Sequence, residues 1–292
     1  MSLLSNTQGR PERVRSLVGL LSAHGGTMPR EEVYDWLLPR PFRNRDQVPT
    51  SIQNTIGAAS DLGLVETFRD RLVLVHPHVP TSEDALSDYC HDFLCTTEKQ
   101  EDRVLLDAFA YFVVRSEQHG STDWIESNRQ VADEVNDVLM KQASEDDERR
   151  FNDTKIAPWK SWMTYLGLGW EAPSLPTFYP SVTERLQRVV RDVGMVLGSD
   201  REVDAATFMR ELASRMPYLD GGERFRSICD SVPFRPTRTT WILSEALRDL
   251  HDDGTLRLHV RGDAREGQQL APDDTHSIRS YFVSVTILRG IA

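Results

Sequence analysis

The sequence predicts an α+β fold that is mainly helical, with small β-hairpins, and that is built from consecutive modules. Apolar residues recur at helical spacing along most of the 292-residue chain, which is typical of amphipathic helices. A helix that ends at glycine is followed by a β-rich run at Gly63, Gly167 and Gly254. The chain is too long for one small domain and fits two or three modules. We expect domains at residues 1–80, 81–198 and 199–292.

The first module is predicted to contain three helices followed by a β-hairpin. Apolar spacing indicates the first helix, Pro29 begins the second, and Thr50 or Ser51 can cap the third. The runs Val65–Phe68 and Leu72–Val75 flank a short charged tip and predict the hairpin. Three helices followed by a hairpin is the winged-helix order. In that fold the third helix normally enters the DNA major groove, and the hairpin tip contacts the backbone or the minor groove.

The last module repeats this order. Helices around Phe208, Phe225 and Leu247 precede two β-rich runs near the C-terminus. The middle module carries several amphipathic helices, and we interpret it as a degenerate winged helix with extra helices and an acidic face. A long helix from Ser181 to Leu197 is expected to join it to the last module.

The acidic excess is confined to one stretch of the chain. The net charge is −11, and residues 81–150 alone hold 7 basic and 18 acidic residues. The flanking parts are near neutral, and their basic residues are mostly arginine, since the whole chain has four lysines. Arginine suits phosphate and guanine contacts as well as protein interfaces. We interpret the acidic stretch mainly as a solvated helical face, which could also repel DNA or bind a basic partner.

The candidate DNA contacts lie on the third helix of the first module, on arginines around it and on the last hairpin. Glutamine and asparagine on an exposed helix face can pair with adenine, and Gly57 would allow a close approach. The candidate DNA-binding residues are Arg40, Arg43, Arg45, Thr50, Gln53, Asn54, Arg69, Arg71, Arg257, Arg261 and Arg265.

The third helix of the last module has a different character. Its exposed face is predicted to carry Ser244, Glu245, Arg248, Asp249 and Asp252. Acids that face phosphates would be repelled, so this helix is not expected to read DNA in the usual pose. Two roles remain for this module: its hairpin arginines contact the DNA backbone, or the module forms a protein interface.

No set of residues in the sequence indicates catalysis. Neither a phosphate-binding loop nor a nucleophile elbow is present, and the three cysteines are interpreted as core thiols. We therefore expect no enzymatic activity, no metal and no cofactor. No apolar run is long enough to cross a bilayer, and the N-terminus has no signal-peptide core. A cytoplasmic protein with no membrane partner is expected.

Two stretches carry a resemblance to known families. The run Ser51–Glu66, with its helix ending in Asp61-Leu62-Gly63-Leu64-Val65, resembles many bacterial winged-helix regulators. The whole arrangement, with Asn152–Lys155 leading to Trp162–Gly167, resembles multi-winged-helix proteins of phage-defence and DNA-modification islands, of the DpdG kind. That resemblance implies an accessory DNA-associated subunit beside nucleases or helicases. The chain is also similar to the acidic tandem winged-helix subunits of bacterial condensin-like complexes, which dimerise and bind a kleisin.

Two functional hypotheses remain open. In the first, the protein binds double-stranded DNA as a multi-winged-helix transcription regulator or as an accessory subunit of a bacterial phage-defence system. In the second, it is an assembly subunit that forms a homodimer and binds protein partners from the same operon rather than DNA.

Overall fold

The computed structural model describes residues 3–39, 49–122, 124, 128–141, 151–171, 178–262, 267–278 and 280–289. In these ranges the protein is mainly helical with small antiparallel sheets, which confirms the predicted fold class. The helices are α1 (Pro11–Ala23), α2 (Arg30–Leu37), α3 (Thr50–Asp61), α4 (Glu83–Thr96), α5 (Gln100–His119), α6 (Asn128–Met140), α7 (Asp153–Tyr165), α8 (Thr183–Leu197), α9 (Ala205–Arg215), α10 (Glu223–Ser231) and α11 (Trp241–Asp252). The strands are β1 (Thr27–Pro29), β2 (Val65–Phe68), β3 (Arg71–Leu74), β4 (Gly169–Glu171), β5 (Phe178–Pro180), β6 (Glu202–Asp204), β7 (Leu256–His259), β8 (Gln268–Gln269), β9 (Tyr281–Phe282) and β10 (Ser284–Ile287).

The chain divides into two compact units. The first is formed by Met1–Leu105 and Arg150–Leu166, and the second by Leu106–Arg149 and Gly167–Ala292. The units are defined by their internal contacts, so the module boundaries expected at residues 80 and 198 stay predictions.

The first unit contains an arrangement that we call the N-terminal repeat, in the order α1, β1, α2, α3, β2, β3. The hairpin expected from the sequence is formed by β2 and β3, with Val65 opposite Leu74. The short strand β1, which we did not predict, pairs antiparallel with the other edge of β3, so the sheet order is β1-β3-β2. The apolar faces of α1 and α3 pack together beside this sheet, and Leu17 and Ala59 are both fully buried there.

The second unit contains the same order with insertions, which we call the C-terminal repeat. Its elements are α8, β6, α9, α11, β7 and β10, with α10 inserted before α11 and the short pair β8–β9 inserted before β10. The last strand is again central, since the sheet order is β6-β10-β7 and both pairings are antiparallel. The two repeats therefore share one topology although their connecting segments differ in length.

Helix α8 belongs to the packed core of the C-terminal repeat. We expected it to connect two modules, but it lies against both α9 and α11. Leu186, Val190 and Val193 are buried on the face that makes these contacts. Their spacing at i, i+4 and i+7 gives the continuous apolar stripe that a helix needs to pack on its neighbours.

Helix α7 of the first unit is held by its cap and by a buried tryptophan. The side chain of Asn152 accepts a hydrogen bond from the backbone N–H of Lys155 at 3.2 Å, which satisfies one free donor of the first turn. Trp159 is fully buried, and its Nε1 donates to the carbonyl oxygen of Leu105 at 3.0 Å. Across the described ranges, no helix combines the length and apolar character needed to span a bilayer.

Candidate nucleic-acid interface

Helix α3, the third helix of the N-terminal repeat, is enclosed on two sides. Its inner face buries Ile52, Thr55 and Ile56 against the core. Its outer face carries the candidate residues Thr50, Gln53 and Asn54 together with Gly57 and Asp61. Thr50 and Gln53 are exposed, whereas Asn54, Gly57 and Asp61 are partly covered. The sequence-predicted site is therefore divided between open and covered positions.

The cover is the N-terminal segment, defined here as residues 3–9. The backbone N–H of Gln8 donates to Oδ1 of Asn54 at 3.0 Å. Farther along the helix, Nδ2 of Asn6 donates to Oδ2 of Asp61 at 2.8 Å. The amide oxygen of Asn54 that could accept from adenine is thus already hydrogen-bonded within the chain.

Two glycines let the N-terminal segment approach α3 so closely. A Cβ atom on Gly57 would lie 2.5 Å from Oδ1 of Asn6, and a Cβ on Gly9 would lie 2.4 Å from the carbonyl oxygen of Asn54. Real Cβ contacts are longer than this, so larger residues would push the segment and the helix apart. Gly57 was expected to admit DNA, but in the structure its open side is filled by Asn6.

The beginning of the N-terminal segment is anchored by burial. Leu3 and Leu4 are 1% and 2% exposed, and the backbone N–H of Leu3 donates to Oδ1 of Asp102 at 3.1 Å. Burial raises the pKa of Asp102. Burial, followed by the charge of Asp102, also raises the pKa of Asp61 to about 6. Two carboxyl groups with raised pKa values, Asp61 and Asp102, therefore accept the hydrogen bonds that hold this segment.

The hairpin of the N-terminal repeat carries two of the candidate arginines. Arg69 lies in the turn with a φ of 54°, and its guanidinium lies over the exposed ring of Phe68 at 5.4 Å. Arg71 on β3 is exposed, and its Nε donates to Oγ1 of Thr27 at 3.1 Å. Both side chains are accessible to a partner. The candidates Arg40, Arg43 and Arg45 lie outside the described residues.

Helix α11, the third helix of the C-terminal repeat, is also partly covered on its outer face. Arg248 is 1% exposed and donates from Nε to the carbonyl oxygen of Ile278 at 2.6 Å and from Nη2 to that of Ala271 at 2.5 Å. Ser244 is fully buried, and its Oγ accepts from the backbone N–H of Ala271 at 2.9 Å. Our prediction that Ser244 and Arg248 are exposed is wrong, because residues 270–278, the C-terminal loop, fold over them.

Acidic residues of α11 also hold the C-terminal loop. Nε2 of His276 lies 3.2 Å from Oδ1 of Asp249, and its Nδ1 lies 3.0 Å from Oδ2 of Asp273. Oγ of Ser277 donates to Oδ1 of Asp252 at 2.9 Å. Partial burial lowers the pKa of His276, but its hydrogen bonds to Asp273 and Asp249 outweigh this, so the net shift is upward. Asp249 is half-buried, whereas Asp252 stays exposed although it is hydrogen-bonded, and Glu245 is exposed as predicted.

The arginines predicted on the last hairpin are not equivalent. Arg257 is exposed on β7, opposite Thr286 of β10. Arg261 pairs through Nη2 with Oε1 of Glu202 at 2.6 Å, so its charge is partly neutralised. Arg265 lies outside the described residues.

Comparison with known proteins places the chain in a family. A family model described as DpdG-like matches residues 1–264. The chain belongs to the DpdG-like family. No curated protein and no solved structure matches it. The match confirms the resemblance expected from the sequence, and membership of the DpdG-like family suggests a protein associated with DNA modification and phage defence.

Proposed function

We propose that this DpdG-like chain is an accessory subunit that assembles with protein partners of its defence or DNA-modification system. We further propose that its two repeats are winged helices that do not read bases through their third helices. One observation carries the proposal: in both repeats, a segment of the same chain covers part of the outer face of the third helix.

The topology supports the winged-helix interpretation. Both repeats run helix, strand, helix, helix, strand, strand, and in both the final strand lies between the other two. The sequence indicates three helices followed by a hairpin for both modules, but it assigns the helix around Phe225 to the last module, where the C-terminal repeat instead uses α8. The outer face of α3 and that of α11 are therefore the surfaces with which a DNA-reading winged helix would enter the major groove.

The dimensions of the groove argue against that use. The major groove is about 12 Å wide, and an α-helix with its side chains is about 10–12 Å across. A helix that carries a further packed segment on its outer face exceeds this width. The hydrogen bonds to Asn54 and from Arg248 fix such a segment on each helix. Base recognition by either helix would first require these contacts to break.

Charge and surface composition favour protein partners. The net charge of −11 opposes non-specific attraction to DNA. Large apolar side chains are exposed in both units, including Trp36 at 64% and Phe68 at 59% in the first and Met195 at 77% in the second. Aromatic residues and methionine are enriched in protein interfaces.

Co-expression with the products of neighbouring genes tests this proposal. The tagged chain is purified with each product, and the mass in solution is measured by light scattering after nuclease treatment and a high-salt wash. We expect a complex of fixed stoichiometry that the outer-face variant Thr50→Glu/Gln53→Glu leaves intact. The proposal would be refuted by a monomer that forms no complex with any of these products but binds particular duplex sequences selectively.

A second candidate function is sequence-independent contact with the DNA backbone through the N-terminal hairpin. The accessible side chains of Arg69 and Arg71 favour it. Backbone contacts release counterions, so affinity would fall as salt rises. The salt slope of duplex binding would then become shallower in Arg69→Ala/Arg71→Ala, and an unchanged slope would remove the hairpin from consideration.

A further inference from the structure

The second unit contains a cavity of about 690 Å³. It lies among α9, the start of α10, the loop that precedes α11, and β8. Small-molecule sites commonly have volumes of about 300–1,000 Å³. The cavity is therefore large enough for a ligand of metabolite size.

The cavity lining is rich in arginine. It includes Arg210, Arg226 and Arg238. Arg238 is paired with Glu117 at 2.8 Å. Arg210 donates to Oγ1 of Thr207 and Arg226 to the carbonyl oxygen of Gly222, both neutral oxygens, at 3.3 Å each. Within the part of the chain that the structure describes, neither of these two guanidiniums has a carboxylate at ion-pair distance.

The acidic groups of the lining only partly offset these charges. The carboxylate of Asp220 accepts from the backbone N–H and from Oγ1 of Thr240 at 2.7 and 2.6 Å. Burial raises the pKa of Asp220 to about 6, so the group is still mostly ionised at neutral pH. Glu223 is exposed on the same lining. The lining holds three guanidiniums and two carboxylates, and an anion would be contacted by Arg210 and Arg226, which have no carboxylate at ion-pair distance within the described residues.

The lining also includes the apolar residues Met209, Ala213, Pro217 and Pro236. Such a surface suits a flat ring, because it removes apolar area from water without requiring hydrogen bonds. A lining that combines arginines with apolar residues suits a ligand that carries both a phosphate and a heterocycle.

We propose that this cavity binds a phosphate-bearing ligand of mononucleotide size. Its phosphate contacts Arg210 and Arg226, and its ring packs on Met209 and Pro217. A guanidinium presents several N–H donors to a phosphate and makes charge-assisted hydrogen bonds with it. The site is independent of the covered helix faces and would give the subunit a small-molecule effector.

Isothermal titration of the full chain with AMP, and separately with inorganic phosphate, tests the proposal. We expect one AMP to bind per chain, more tightly than inorganic phosphate. Removing both unpaired guanidiniums in Arg210→Ala/Arg226→Ala should raise the Kd for AMP by about tenfold or more. The control Arg257→Ala removes an exposed arginine of the same unit that does not line the cavity, and should leave the Kd unchanged.

A second variant separates a filled cavity from phosphate held on surface arginines. Ala213→Phe places a ring against the apolar residues of the lining. It should lower the affinity for AMP and leave the affinity for inorganic phosphate unchanged. The proposal is overturned if folded wild-type protein fails to bind AMP at millimolar concentration. It is equally overturned if the double arginine variant keeps the wild-type Kd, or if inorganic phosphate binds as tightly as AMP.

Discussion

The amide oxygen of Asn54 accepts a hydrogen bond from the backbone N–H of Gln8 at 3.0 Å. This contact places the N-terminal segment on the helix face that the sequence indicated for DNA. In the second unit a side chain of the third helix is the donor instead, since Nη2 of Arg248 donates to the carbonyl oxygen of Ala271. In each repeat a polar side chain of the third helix is therefore hydrogen-bonded to the segment that lies over that helix, the N-terminal segment or the C-terminal loop.

The substitution Gly9→Ala should loosen the N-terminal segment. Its Cβ would meet the backbone carbonyl oxygen of Asn54 at 2.4 Å, and backbone cannot move aside as a flexible side chain can. We expect a loss of about 1–3 kcal/mol in the free energy of unfolding and faster hydrogen exchange at residues 3–9. The matched control is Gly19→Ala in α1, where a Cβ meets nothing within 4 Å. Equal effects of the two substitutions would contradict the close packing at Gly9.

The raised pKa of Asp61 predicts that the first unit loses stability as the pH rises. A carboxyl group whose folded pKa, about 6, exceeds its ordinary value of 3.8 favours folding below that ordinary value. This contribution disappears as the pH rises from about 4 through about 6. Asp61→Asn keeps an acceptor for Asn6 and should be more stable than wild type at neutral pH by about 1 kcal/mol, since the group is only half-buried.

Urea unfolding at acidic and neutral pH measures this effect. The control Glu66→Gln changes an exposed carboxylate on β2 and should follow the wild-type pH dependence. If the free energy of unfolding of Asp61→Asn has the same pH dependence as that of wild type, ionisation of Asp61 does not destabilise the folded state, and the prediction is wrong.

His276 gives the C-terminal loop the same direction of pH dependence for a different reason. Hydrogen bonds to Asp273 and Asp249 raise its pKa in the folded state above the ordinary value of 6.5. The stabilisation is complete below that ordinary value and is lost as the pH rises through the raised one. Hydrogen exchange at residues 270–278 should therefore be faster at about pH 8 than at about pH 6, beyond the intrinsic change in exchange rate.

His276→Gln should remove most of that difference, because glutamine does not gain a proton in this range. His78→Gln, at an exposed position of the first unit, serves as the control and should behave as wild type. A pH response in the C-terminal loop that survives His276→Gln would show that other groups hold it.

The helices and the first hairpin could be predicted from the sequence because their apolar residues recur at a fixed period. The two covering segments could not, since each depends on polar contacts between distant residues. Arg248 bonds to carbonyl oxygens 23 and 30 positions away, and its place between the apolar positions of α11 suggested an exposed residue. Leu3 and Leu4 were the one apolar signal in the N-terminal segment, and a two-residue run has no period to interpret.

Selection of duplexes from a random pool by the wild-type protein tests the central claim most directly. The covered third helices predict that no sequence motif is enriched, and that Thr50→Ala/Gln53→Ala changes neither the recovered pool nor the affinity at any salt concentration. An enriched motif that disappears in this variant would show that α3 reads bases in spite of its cover, and would contradict the account.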